Sequence, residues 1–147
     1  MSARVAAGLR AWASGNYAQE AGVELLLRAF GGRFAETGCP WVRQCDRRGW
    51  FWLDVTVLLD YSGACSGSQR RVLAIVAALV DDRPVDDLGE LLAGLDRTTV
   101  TLVLAALAHA AGSHDHVELI HRGDDGVVLA PLPALVPWPT VGDRRAA

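Results

Sequence analysis

Ser66-Gly67-Ser68-Gln69-Arg70-Arg71-Val72-Leu73-Ala74-Ile75-Val76-Ala77-Ala78-Leu79-Val80 is the stretch whose reading decides the fold. Val72, Leu73, Val76, Ala77 and Val80 recur at helical spacing, and Ser66 or Ser68 stands where an N-cap belongs. Asp81-Asp82-Arg83-Pro84 ends the run, because proline cannot continue a helix. A helix with one apolar face needs other elements to cover that face, so the rest of the chain is read for partners.

Toward the C-terminus a short helix is expected over Asp86 to Ala93, broken by Gly94. Asp96 then caps a helix from Arg97 to Ala111, so apolar on all sides that burial all round is expected, and Gly112-Ser113 ends it. His116 to His121 and Val127 to Ala130 flank Gly123-Asp124-Asp125-Gly126 and read as a β-hairpin. Toward the N-terminus, Ala21, Leu25, Leu26 and Ala29 keep helical spacing between Ser14-Gly15-Asn16 and Gly31-Gly32. Pro40 to Cys45 and Trp50 to Val57, joined by Asp46-Arg47-Arg48-Gly49, suggest a first hairpin; Asp54 can alternatively cap a short helix through Tyr61. The expected architecture is a mostly helical α+β domain over 16–130 with one or two short hairpins. Residues 1–15 are expected as a flexible segment, and 131–147, with Pro131, Pro133, Pro137 and Pro139, as an extended or disordered tail.

Composition narrows function mostly by exclusion. All fourteen basic residues are arginine, so no P-loop lysine, Schiff-base lysine or lysine general base exists. A formal charge of -3 gives no overall electrostatic footprint for nucleic acid or anionic membrane. Cys39, Cys45 and Cys65 fit neither a zinc framework nor a disulfide scaffold, and three reduced thiols in a cytosol are expected. The apolar run before Arg10 is too short for a signal peptide, and no segment has the apolar length of a membrane span. A cytoplasmic protein follows as the expectation, and no cofactor is expected.

Cys65-Ser66-Gly67-Ser68-Gln69-Arg70-Arg71 resembles the Cys-x5-Arg loop of cysteine-dependent phosphatases. The resemblance implies Cys65 as a thiolate nucleophile at a helix N-terminus and Arg71 as a bidentate phosphate clamp. It departs from that family at Ala64, where histidine is usual, and at Val72, where Ser or Thr is usual. Ser66-Gly67-Ser68-Gln69 also resembles the signature segment of ABC-type ATPases, and Gly63-Ala64-Cys65-Ser66-Gly67 matches a nucleophile-elbow pattern. Three motifs on one turn reflect how common Gly/Ser turns before helices are.

The order of helix, turn, helix and hairpin from Asp87 onward resembles a winged helix-turn-helix, which implies DNA contacts from Arg97, Thr98, Thr99 and, on the wing, Arg122. The helix offers no Arg, Asn or Gln face for reading bases. If 113–121 is one strand, His114, His116 and Glu118 share a face and form a candidate metal set. Trp41, Trp50 and Trp52, with Arg47 and Arg48, concentrate aromatic and guanidinium groups in the first hairpin, the composition of a protein-binding hot spot. From 17 to 112 the pattern is similar to small uncharacterised proteins of high-GC actinobacteria, which implies no activity. The expected function is a non-catalytic interaction or regulatory module with a protein partner. The alternatives are a winged-helix DNA-binding regulator and a phosphatase-like hydrolase using Cys65 and Arg71.

Overall fold

A computed structural model describes residues 3–46, 49–121 and 126–140. Among these, α1 (Ala3–Ala13), α2 (Tyr17–Arg28), α3 (Val55–Ser62), α4 (Gly67–Asp81), α5 (Leu88–Ala93) and α6 (Arg97–Ala110) are the α-helices. The strands β1 (Val42–Gln44) and β2 (Phe51–Leu53) form one antiparallel pair, and β3 (Val117–His121) and β4 (Val127–Pro131) form another. The domain is α+β and mostly helical.

The helix starts follow side-chain capping, as the sequence requires. Asn16 accepts from the amides of Ala18 and Gln19, Asp54 from Val57, Asp87 from Glu90 and Asp96 from Thr99. At α4 the N-cap is Ser66, whose own amide donates to Gln69 Oε1 at 3.1 Å, the reciprocal arm of a capping box. Asp54 therefore starts α3, and residues beyond Leu53 are helix rather than strand. After α2 the chain reverses through a kinked 3-10 segment, Ala29–Ala35, where Gly31 and Gly32 take left-handed φ values of 71° and 76°.

α2 lies at the centre, packed on one side against α4 and on another against α6. Leu25 and Leu26 of α2, Leu73 and Val76 of α4, Val103 of α6, Leu58 of α3 and Leu9 of α1 are fully buried in one continuous core. Gly22 lets α2 and α4 approach: a Cβ there would meet Val80 Cγ2 at 2.5 Å.

Four expectations change. Of the segment 1–15, expected to be flexible, residues 3–13 form α1, which buries Val5, Ala6, Leu9 and Ala13 against α2 and β2. Arg10 interrupts an apolar run in sequence, yet on the helix it lies on the outer face and pairs with Glu24. The tail after 130 is partly engaged. Pro131 closes β4 opposite Val117, which an edge strand tolerates, and Trp138 packs beside the core under the Arg28 guanidinium, 5.0 Å from the ring centre. α6 is not buried all round, since Leu104 and Leu107 are 49% and 41% exposed. The hairpin arm expected from His116 begins at Val117, but the longer strand over 113–121 that the metal set required does not form, because Gly112 at φ 72° turns the chain into a 3-10 turn, Ser113–Asp115.

Candidate functional site

The first hairpin is mostly a lid on the core. Trp41 is 2% exposed, its indole N–H donates to Phe34 O at 2.7 Å, and its ring meets Phe34 and Tyr61. It cannot serve as a surface anchor as expected. Trp50 is half-buried and Trp52 is 37% exposed, while Arg47 and Arg48 lie outside the described residues. The proposed hot spot thus retains only Trp52 as an exposed aromatic among the described residues of this hairpin.

The phosphatase-like loop is not assembled. The chain enters α4 at Gly67, so residues 67–71 are wound into a helix rather than curled around an anion. Arg71 is committed to α5: its Nε donates to Glu90 O at 3.3 Å, and its guanidinium lies against Gly94 and beside Gly67. Arg71 lines a cleft of about 470 Å³ with Arg70, Asp86, Asp87 and Glu90, to which Cys65 contributes nothing. Cys65 is half-buried against the core.

The element order of a winged helix is present in α5, α6, β3 and β4, but Thr99 does not face outward as expected. Thr99 is 7% exposed and locked to Asp96 by both its amide and its hydroxyl. Arg97 and Thr98 are exposed at the helix start; beyond them the outer face is Thr101, Leu104 and Leu107, with none of the Arg, Asn or Gln side chains that pair bidentately with a base edge. Arg122 lies outside the described residues.

Two features carry more chemistry. The first is the hairpin β3–β4, in the register Val117↔Pro131, Leu119↔Leu129 and His121↔Val127. Alternation puts these six residues on one face, and Val117, Leu119, Val127 and Leu129 are 57%, 64%, 53% and 62% exposed. Glu118, Ile120, Val128 and Ala130 form the other face, where Ile120 and Val128 are less exposed. Neither β3 nor β4 pairs with a third strand among the described residues, so both outer edges present unpaired backbone groups.

The second is a cluster joining α2, α6 and the Ser113–Asp115 turn. His109 Nε2 lies 2.9 Å from Glu20 Oε2, and the His109 and His114 rings stack with centroids 4.0 Å apart at 12°. Gly15 N–H donates to Glu20 Oε1 at 2.9 Å, which fixes the carboxylate with its other oxygen toward His109. Tyr17 sets its ring edge-on to both imidazoles and donates its hydroxyl to Asp115. Burial pushes the Glu20 carboxyl up, but the His109 hydrogen bond, the Gly15 amide and the charges of His109 and His114 outweigh it and hold the group below its ordinary value. A cleft of about 210 Å³ opens beside Glu20 and His109, with Arg10 and Glu24 on its wall.

This cluster replaces the expected set of His114, His116 and Glu118. Only His114 belongs to it, because the 3-10 turn destroys the alternation that would align the three. Glu20 and His109 are 89 residues apart, and no local spacing signals their meeting; the signal is only that both sit on helices whose apolar faces must share one core. Among the described residues no helix is long and apolar enough to cross a membrane. Compared with protein families, curated proteins and solved structures, the chain matches none.

Proposed function

We propose that the protein is a non-catalytic interaction module whose working surface is the outer face of β3–β4, and that the chain it binds there is a second copy of itself. The observation that carries this reading is a hairpin whose four large aliphatic side chains on one face are each more than half exposed. A two-stranded hairpin is marginal alone in water, and monomers rarely leave several hundred Å² of contiguous apolar surface uncovered without a use for it.

The choice of a second copy rests on charge. The face carries no Asp, Glu or Arg among its described residues, so it selects a surface that is itself apolar and uncharged. The same face on another molecule meets that requirement under a two-fold axis, and antiparallel edges are self-complementary in that arrangement. Sedimentation equilibrium of the full chain tests the reading. The wild type is expected as a dimer at micromolar concentration and Leu119→Glu/Leu129→Glu as a monomer with unchanged helical circular dichroism. A monomeric wild type, or a double variant that dimerises equally well, would overturn it.

A further inference from the structure

We propose that Glu20, His109 and His114 form a binding site for a divalent late first-row metal ion, with Zn²⁺ the fitting member. One donor atom from each of the three lies within 4.8 Å of the others. A tetrahedral zinc with bonds of about 2.0–2.1 Å holds its donors roughly 3.3 Å apart. The Glu20 and His109 donors, at 2.9 Å, are already near that spacing. Two imidazoles and one carboxylate form a donor set suited to zinc and its first-row neighbours, with water filling the remaining position.

The supports behind the ligands are those a metal site needs. The Gly15 amide holds one oxygen of Glu20 and leaves the other aimed at His109. Tyr17 braces both rings and is itself held by Asp115. Glu20 and His109 come from α2 and α6, which pack against each other in the core, so their separation is set by buried helices rather than by mobile loops. His114 is the adjustable member: it is exposed on a short turn, and its ring is stacked parallel to His109. The in-plane lone pairs of stacked rings run side by side, so closing on an ion requires the His114 ring to turn toward Glu20. The adjacent cleft gives the ion and its water an approach.

The competing explanation is that Glu20 and His109 are only an ion pair fastening α2 to α6, with His114 stacked on it by chance of position. The test uses the full chain with Zn²⁺ by calorimetry and Co²⁺ by visible absorption. The wild type is expected to bind one ion at micromolar concentration, to show Co²⁺ bands of a low-coordinate site, and to unfold at a higher temperature with Zn²⁺. His114→Ala and Glu20→Gln are expected to weaken Zn²⁺ binding roughly tenfold or more. His116→Ala and Glu118→Gln are expected to leave it unchanged. Absence of saturable one-to-one binding in the wild type, or wild-type affinity in His114→Ala, would overturn the site and leave the ion pair. His114→Ala alters an exposed side chain, so its folded state without metal serves as its own control.

Discussion

At the scale of single residues, the strongest constraints are those that no window of sequence displays. Gly22 reads as a mild flaw in a helix, yet a methyl group there would press on Val80 Cγ2 at 2.5 Å and Leu79 Cβ at 3.2 Å. Gly22→Ala is expected to destabilise the protein by about 1–3 kcal/mol despite its better helix propensity, as measured by urea unfolding. Glu24 is similar: a polar residue in α2 by sequence, it takes hydrogen bonds from Arg10 of α1 and from Arg28 one turn on. Burial pushes its carboxyl up, but both guanidiniums outweigh that and hold it below its ordinary value. A depressed folded-state value means a stabilisation that is complete above the ordinary carboxylate range and is lost as pH falls through the depressed value. Glu24→Gln is therefore expected to lower stability at pH 7 and to lose less further stability than the wild type on acidification to pH 3. Equal slopes for the two proteins would count against the pairing. The Cys65 and Arg71 pair shows the opposite case, in which a short spacing suggests a site, yet 67–71 is wound into α4 and the Arg71 guanidinium is engaged by Glu90 O.

At the scale of elements, α4, α5 and α6 were legible because their signals are local. Caps are chemistry between residues three apart, and apolar periodicity is written along one helix. Asp96 illustrates how much a cap carries. Its carboxylate accepts from the amide and hydroxyl of Thr99, and the Thr99 amide bond above all keeps it below its ordinary value. Asp96→Ala is expected to cost about 1 kcal/mol, and thermal unfolding followed at neutral pH checks it. The elements misread were those whose state depends on distant partners. α1 is the exception, since alanine favours helix and Val5, Ala6, Leu9 and Ala13 keep helical spacing with Arg10 off that face; its helix signal was local, and only its packing against α2 and β2 was not. The strand over 113–121 that the first metal set required is displaced to Val117, since the left-handed Gly112 and the 3-10 turn after it are set by where α6 ends, although the hairpin arm itself, expected from His116, starts within one residue of that. That displacement also decided the metal set, exchanging His116 and Glu118 for Glu20 and His109. The aromatic hairpin was located correctly, but the sequence does not say which of its rings face inward, and Trp41 proved to be core.

At the scale of the whole molecule, apolar surface is distributed unevenly. The packing around α2 hides nearly every large aliphatic residue of α1, α2 and α4, whereas the C-terminal third leaves Leu104, Leu107 and most of β3–β4 open. Burial of roughly 25 cal/mol per Å² makes such exposure an unfulfilled stabilisation, which a second copy would complete. Amide hydrogen exchange across 117–121 and 127–131 tests this most directly, comparing the wild type with Leu119→Glu/Leu129→Glu at the same high concentration. An exposed two-stranded hairpin opens readily, so its amides exchange fast unless another chain covers them. The account predicts strong protection of β3 and β4 in the wild type and near-complete loss of it in the double variant, with α2 and α4 unchanged. Equally fast exchange of the hairpin in both proteins would contradict it.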